Sequence, residues 1–420
     1  MKITILTYGS RGDVQPFLAL AVALQKRGHS VTLAGPHRFA SLVAGQAAGV
    51  LFAPLAGDPE QISIGINAAG GNVYRMVSAI KEYVTGIAPQ VVSQAMNASA
   101  EAELLIHSFL FTTGGHSLAR QLGIADVSIQ TFPMFAPTGD FPNVAFPPLG
   151  RAGNYLSHWL ATQIFQHGGN SGFRNIQHLL PDSFPRRLYW PFEGAYLTPL
   201  LIACSPSVIP AWPGWPENVH LTGYFFLDDE QYEPPEVLTR FLQNGPPPVC
   251  VTFGSMVNAG AARNHEMVRN ALEKCGERAV ILTGWGEFEP AAEAENMLYL
   301  EAAPHGWLFP RCKAVIHHGG AGTTAAGLRA GIPNIVIPHA ADQPFWGRRV
   351  RALGAGPAPI PVQSLSVARL LAALADCENT TLTSTARSIG RSILAEKGLD
   401  TAIELIYQEK SRFTLKNRKL

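Results

Sequence analysis

The sequence predicts two doubly wound α/β domains in one chain. Three observations carry that reading. A strand, a glycine turn, a helix and a second strand follow one another within the first ~35 residues, which makes a βαβ unit and therefore a parallel sheet. A proline-rich stretch interrupts the chain near its middle, and beyond it the same grammar restarts. The length of 420 residues suits two domains at ~100–200 residues each.

In the first half, the apolar and β-branched run from Ile3 to Thr7 reads as a strand and Gly9-Ser10-Arg11-Gly12 as a turn. Asp13 then opens a helix that runs to about Leu24, and Gly28 suits the position just past its end. Ser30 to Ala34 is the second strand, with Leu104 to Ile106 and Val127 to Ile129 as later strands of the same sheet. From Phe132 to about Pro191 the pattern is irregular and rich in Pro, Phe, Trp and Gly, with a helix of one apolar face across Asn154 to Leu160. A loop this long is usually functional. Pro206 to Pro216 forbids regular structure and reads as a linker.

The expected division is therefore a first domain over 1–208, a linker over 209–220, a second domain over 221–395, and a C-terminal helix and basic tail over 396–420. In the second half the strands are Pro248 to Phe253, Val280 to Thr283, Lys313 to His318 and Asn334 to Pro338, with helices between them. Asp400 caps a helix from Thr401 to Glu409. For the basic tail from Lys410 onward two readings stand, a frayed terminus or a peripheral contact with anionic lipid. Doubly wound sheets bind ligands beyond the carboxyl ends of strands where strand order reverses, so a cleft between the domains is the expected site.

Composition narrows the function classes. Lys+Arg number 32 against 31 Asp+Glu, and a net charge of +1 offers nucleic acid no basic footprint. Charged residues make up only 15% against an ordinary ~25%. Extra apolar surface follows, at a subunit interface of a homodimer or around a greasy ligand on a monomer. Five scattered cysteines contain no C-x-x-C pair and read as reduced, buried thiols rather than disulfides or zinc ligands. The N-terminus lacks a signal-peptide apolar region, and no apolar stretch approaches ~18 residues, so a cytoplasmic location is expected.

One stretch carries the chemistry. It runs from Ala303-Pro304-His305 through His317-His318-Gly319-Gly320-Ala321-Gly322-Thr323-Thr324 to Asp342-Gln343-Pro344. Glycines at 319, 320 and 322 let backbone approach a ligand, and the helix that follows offers unpaired N–H groups and the positive end of its dipole to a phosphate. His318 adds a hydrogen bond or a positive charge. A tight αβ corner is the bland alternative. A dinucleotide fingerprint is the other, because Gly320 to Ala325 formally matches G-x-G-x-x-A and Asp342 lies 20 residues beyond Gly322. The preceding histidine pair and the Asp-Gln-Pro-Phe-Trp that follows argue against it.

These residues resemble the sugar-nucleotide signature of family 1-type glycosyltransferases with the GT-B fold. The sequence is most similar to sterol glucosyltransferases and to related bacterial enzymes that glycosylate lipophilic natural products. The turn from Gly9 to Phe17 and the blocks His317 to Leu328 and Asp342 to Gly347 carry the match. The resemblance implies two Rossmann-like domains facing each other across a cleft. It implies that His318, Gly320, Gly322, Thr323, Thr324 and Ser255 hold the diphosphate, with Ser10, Arg11 and Gly12 also on the donor side. Asp342 and Gln343 meet the sugar hydroxyls, a task that suits a carboxylate beside an amide, and the backbone near His305 meets the base. The tryptophan that stacks on the base in plant members is replaced by Ala302, and their ribose-binding glutamate by Ala326. Trp285 is assigned the stacking role instead.

The implied reaction moves glucose from UDP-glucose to a hydroxyl of a sterol, terpenoid or flavonoid-like acceptor with inversion. The sugar nucleotide is a co-substrate, and neither a cofactor nor a metal is expected. The implied general base is Asp13, which also fits a simple helix cap; both roles are compatible. Phe132, Met134, Phe135, Phe141, Phe146 and Trp159 are the candidate acceptor pocket, or else core beneath a long loop. Asp228-Asp229-Glu230 reads as a solvated loop rather than a metal site. Two other functions remain in play, a nicotinamide-dependent oxidoreductase and a non-catalytic sugar-nucleotide binder.

Overall fold

The computed structural model describes residues 1–61, 73–194, 197–229, 231–253, 261–284 and 296–417. They form two compact units, Met1–Leu227 with Lys397–Leu420, and Asp228–Glu396. Each is built on a wholly parallel sheet.

The first sheet contains β1 (Lys2–Leu6), β2 (Ser30–Pro36), β3 (Leu51–Leu55), β4 (Leu104–His107), β5 (Ala125–Gln130), β6 (Leu200–Ile202) and β7 (Val219–Leu221), in the order β3-β2-β1-β4-β5-β6-β7. Alternation along β1 explains its double burial. Ile3 and Ile5 enter one core with helix α1 (Arg11–Gln25), while Leu6 enters the opposite core with α2 (Val73–Ser99) and α3 (Thr112–Leu122). A strand covered on both faces reads as a continuous apolar run, which is why β1 and β4 are plain in the sequence. The edge and short strands β3, β6 and β7 give no such signal, and the sequence reading omits them.

Two boundaries differ from the expectation. Pro206 to Pro216 connects β6 to β7 inside the first unit, because β7 pairs with β6. Trp215 Nε1 donates to the Pro137 carbonyl at 2.9 Å, and the Arg151 guanidinium lies 5.0 Å from the centre of the Trp212 ring. The division between the units falls after Leu227 instead. The chain end also belongs to the first unit: the C-terminal helix Gly398–Asn417 sends Ala402, Ile403 and Ile406 into the core against α1. Asp400 lies in the first turn of this helix and pairs with Arg27, and Tyr407 meets His29 Nε2 at 2.7 Å. Lys410 to Asn417 are helical, with Lys410 Nζ donating to the Glu103 carbonyl at 2.7 Å. These residues are therefore ordered helix rather than a frayed end.

The irregular stretch holds a much longer helix than expected, α4 (Gly150–Ile176). Gly168, Gly169 and Gly172 lower its intrinsic propensity, so the sequence reading stops short of its second half.

The second sheet contains β8 (Val249–Thr252), β9 (Ala279–Leu282), β10 (Met297–Leu300), β11 (Ala314–His317) and β12 (Asn334–Val336), in the order β10-β9-β8-β11-β12. Helix α5 (Ala261–Cys275) covers one face with Val268, Ala271 and Leu272. Helices α6 (Ala321–Arg329) and α7 (Gln343–Ala352) follow β11 and β12. Cys204, Cys250, Cys312 and Cys377 are buried cysteines outside any disulfide, whereas Cys275 is exposed. No helix among the described residues is long and apolar enough to cross a membrane.

Candidate active site

In the first sheet, strand order reverses between β1 and β4. The chain leaving β1 turns at Gly9, whose φ of +136° brings it so close to Asp13 that a Cβ there would overlap the carboxylate. Helix α1 begins earlier than expected, with Ser10 rather than Asp13 at its cap. Asp13 sits three residues on and closes the cap from inside: its Oδ2 accepts from the Ser10 backbone N–H at 2.8 Å and the Ser10 hydroxyl at 2.9 Å. Thr7 Oγ1 donates to the Asp13 carbonyl at 2.8 Å. The carboxylate is therefore fixed by local structure. Burial holds its carboxyl above the usual carboxylate range, although the bonds from Ser10 oppose the shift. Arg11 and Gly12 are exposed on the same turn, with Arg11 Nε donating to Gln15 Oε1 at 3.1 Å.

Asp13 lines a pocket with Tyr8, Phe17, Ser108, Phe109 and Leu110. The last three follow β4, so the pocket sits at the carboxyl ends of both strands that flank the reversal. The carboxyl end of β4 is itself anchored at His107. Asp126 Oδ2 bonds His107 Nε2 at 3.0 Å and His116 Nδ1 at 2.9 Å, all three buried. Burial pushes the Asp126 carboxyl up, yet the two imidazole bonds prevail and hold it below its ordinary value.

Phe109 joins this pocket to an aromatic cluster. Its ring lies 5.2 Å from Phe132, 5.8 Å from Phe135 and 5.0 Å from Phe165. Phe135 in turn lies 5.0 Å from Trp190 and 6.0 Å from Phe192. Of the six residues proposed from sequence for an acceptor, the structure thus gathers Phe132 and Phe135. Phe141 is buried against His158 at 6.0 Å, and Trp159 is exposed. Met134 and Phe146 are partly buried; the Met134 carbonyl accepts from Asn143 Nδ2 at 2.8 Å. Phe109, Phe165, Trp190 and Phe192 complete the cluster and are not among the six. Applying the carboxyl-end rule to β4 as well as β1 would have found Phe109.

The second sheet reverses between β8 and β11. Gly254 and Ser255, just past β8, lie outside the described residues, as does Trp285. Beyond β11, the histidine pair divides into two jobs. His317 is buried, with Nε2 on Asn334 Oδ1 at 3.1 Å and Nδ1 accepting from the Gly319 N–H at 3.0 Å. It fastens the turn. His318 stands at the turn with Nδ1 buried and unpartnered. Burial, then the neighbouring His339, push its pKa down to about 4, with a hydrogen bond to the Thr252 carbonyl opposing them. At that value the ring is neutral at pH 7.

Gly319 has φ +90°, and a Cβ there would stand 2.7 Å from Val336 Cγ1. Gly320 caps α6, and Gly322 in its first turn has open space where a Cβ would be. The Thr324 hydroxyl is buried and donates to the Gly320 carbonyl at 2.9 Å, so it serves the turn itself; Thr323 is partly exposed.

The loop after β12 is strained at Ala341, which has φ +55°. Gln343 Oε1 accepts from the backbone N–H groups of His339 at 2.8 Å and Ala340 at 3.2 Å, which holds that loop. Asp342 Oδ2 accepts from Trp346 Nε1 at 2.8 Å. His305 starts a short helix and stacks on Phe309 at 4.5 Å. Asp228 is not merely solvated: Arg329 grips both its oxygens at 2.7 and 2.6 Å.

Residues 3–136 match the glycosyltransferase family 28 N-terminal domain. Residues 291–400 match the erythromycin biosynthesis protein CIII-like C-terminal domain. Over 97% of its length the chain is 32% identical to sterol 3-beta-glucosyltransferase UGT80B1 of Arabidopsis thaliana, covering 68% of that protein. It is 33% identical to O-mycaminosyltylonolide 6-deoxyallosyltransferase of Streptomyces fradiae, with 97% of both chains covered. The chain belongs to this glycosyltransferase family. It spans only 33% of the 33%-identical sterol 3-beta-glucosyltransferase of Pichia angusta. The fold also matches solved glycosyltransferases. That of kitacinnamycin aligns with TM-score 0.71 at 19% identity over 97% of this chain and 98% of its own. VinC, solved in complex with dTDP, aligns with TM-score 0.68 at 18% identity over 98% and 100%. The first matched domain contains Asp13, Phe109, Phe132 and Phe135; the second contains the turn from His317 to Thr324 and the Asp342-Gln343 loop. Membership in a glycosyltransferase family sets aside the dinucleotide reading of Gly320 to Ala325.

Proposed function

We propose that this glycosyltransferase moves a hexose, glucose from UDP-glucose, to a hydroxyl of a lipophilic acceptor with inversion, and that Asp13 is the general base. The observation that carries the reading is the placement of Asp13: a locally fixed, partly buried carboxylate in a pocket whose wall continues into the Phe109, Phe132 and Phe135 cluster. An apolar wall beside one basic carboxylate suits a greasy alcohol.

In the proposed step the acceptor oxygen attacks the anomeric carbon as the bond from that carbon to the diphosphate oxygen breaks. The electron pair leaves with the diphosphate, and the acceptor proton passes to the Asp13 carboxylate. The leaving charge is met by His318 and by the N–H groups that open α6. Gly320, Gly322 and Thr323 let that backbone come close, while Thr324 supports the turn. Asp342 and Gln343 take the sugar hydroxyls. Because N–H dipoles meet the charge, the scheme assigns no role to a metal ion.

The test is turnover with UDP-glucose and dTDP-glucose against sterol and macrolide alcohols, with and without EDTA, reading the anomeric configuration of the product. EDTA-insensitive formation of a β-glucoside from UDP-glucose is expected. An α-linked product would overturn the inverting mechanism, and turnover with dTDP-sugars alone would overturn the donor.

A further inference from the structure

Helix α4 is amphipathic in the wrong direction. Over its first four turns the residues facing the protein are Asn154, Ser157, His158 and Ala161, all buried. Their polar groups hold the preceding loop: the Asn143 N–H donates to Ser157 Oγ at 2.9 Å, and the Leu149 N–H donates to Asn154 Oδ1 at 3.0 Å. Asn154 Nδ2 donates to the Gly139 carbonyl at 3.0 Å, and His158 Nε2 meets the Phe141 carbonyl at 3.2 Å. With its polar side turned inward, the helix turns its apolar side out. Tyr155, Leu156, Trp159 and Ile164 are each at least 50% exposed, and Leu160 is exposed beside them. Spacings of three and four residues, Leu156 to Trp159, Tyr155 to Trp159, Leu156 to Leu160 and Leu160 to Ile164, link them into one broad outward face. Most large exposed apolar residues of a soluble protein are scattered singly; a contiguous row marks an interaction surface.

We infer that this face of α4 docks on the surface of an anionic lipid bilayer. Composition and charge select the occupant. Tryptophan and tyrosine among leucine and isoleucine form the mixture that settles at a bilayer interface. From 141 to 181 the chain carries no Asp or Glu, while Arg151 and Arg174 lie exposed on the same helix. A two-fold dimer would set this acid-free segment against itself, arginine facing arginine with no carboxylate between. Arg151 also stacks on Trp212, and anionic headgroups supply the counter-charge that the segment lacks. The helix lies in the interface plane, with the apolar row entering the acyl boundary and the arginines at headgroup level. The surface is independent of which acceptor the pocket takes.

Flotation of the full chain with phosphatidylcholine vesicles, with and without phosphatidylglycerol, tests the inference. The protein is expected to float with the anionic vesicles and less with phosphatidylcholine alone. Leu156→Glu with Ile164→Glu is expected to weaken partition by about tenfold or more, since each replaces a buried-on-binding aliphatic by a charge repelled by the lipid. Leu415→Glu alters an equally exposed leucine on the C-terminal helix and is expected to leave partition unchanged. Brominated lipid provides a second readout without added charge: it quenches the wild type, and quenching falls in Trp159→Phe. Absence of flotation, or flotation of the double variant at the wild-type level, overturns the assignment. So does light scattering that shows a dimer which the double variant dissolves without any lipid binding, because the occupant is then a second copy.

Discussion

The two strand reversals make the same kind of place from different materials. In the first sheet the chemistry sits in side chains: a carboxylate on the turn after β1 and aromatic rings gathered from Phe109, Phe132, Phe135 and Phe165. In the second it sits in backbone: a turn at Gly319 and Gly320, the N–H groups opening α6, and a half-buried histidine whose pKa is pushed down. A backbone site is written in consecutive residues, because positive φ and close approach demand glycine at fixed positions. A side-chain site is assembled from residues far apart in the chain. The first kind suits a ligand group common to a family, and the second suits the group that varies.

The sharpest way to break the contrast is to remove the carboxylate that lines the pocket of the first unit. Asp13→Asn keeps an oxygen to accept from the Ser10 N–H but cannot take a proton. Turnover is expected to fall by about 10²–10⁴-fold, while nucleoside diphosphate affinity measured by calorimetry stays within a factor of two or so of wild type. Folding should not suffer. The raised pKa of Asp13 means that the fold favours its protonated form, so its contribution to stability is present at low pH and lost as pH rises through the folded value. At pH 7 the variant is expected to melt no lower than wild type. Retained turnover would remove Asp13 as the base.

The same contrast accounts for what was legible in the sequence. The strands β1, β4, β8 and β11 are buried on both faces and announce themselves as apolar runs, and the turn after β11 is spelled out between His317 and Thr324. Asp13 is legible as well, although its exact place within the cap depends on Ser10, and residue type alone does not distinguish the two positions. The aromatic wall was only half visible, because Phe109 and Phe165 meet Phe135 through tertiary packing over a range of 56 residues from first to last. The α4 face was hidden for a different reason. Periodicity reports that one side of a helix is apolar, and the default is to place that side inward; here the Asn154, Ser157 and His158 bonds to the loop place it outward.

Two glycines in the backbone half separate folding from binding. Gly319→Ala forces a side chain into φ +90° and against Val336, and is expected to destabilise the protein by about 1–3 kcal/mol. Gly322→Ala meets nothing within 4 Å and removes a helical glycine, so stability rises by roughly 0.5 kcal/mol. If a diphosphate comes close to this backbone, the second variant nevertheless loses about tenfold in nucleotide affinity. Thermal melts and calorimetry on the pair read both quantities. A Gly322→Ala protein that binds as tightly as wild type would mean that no ligand approaches there.

A smaller change is expected on the aromatic wall. Phe109→Leu retains an apolar side chain but loses the ring contacts with Phe132, Phe135 and Phe165. The expected result is a several-fold rise in acceptor KM, consistent with aromatic contacts of ~0.5–1.5 kcal/mol, with nucleotide affinity unmoved. Equal effects on donor and acceptor would mean that the two halves do not divide the work as their materials suggest.

The smallest effect is a proton. His318 titrates near pH 4 in the unliganded protein against an ordinary 6.5, so between those values the unfolded chain binds more protons and stability is lost as pH falls through the window. An incoming diphosphate reverses the preference, since its charge favours the imidazolium. Nucleotide binding near pH 6 is therefore expected to take up a fraction of a proton, and affinity to rise a few-fold as pH falls from 7 to 6. Calorimetry in two buffers of different ionisation enthalpy measures the uptake. The nucleotide's own phosphate also titrates in this range, so the decisive quantity is the difference from His318→Gln, which keeps a hydrogen-bonding group but cannot be charged. Equal uptake in the two proteins would place the diphosphate away from His318, and the turn after β11 would then rest on its N–H groups alone.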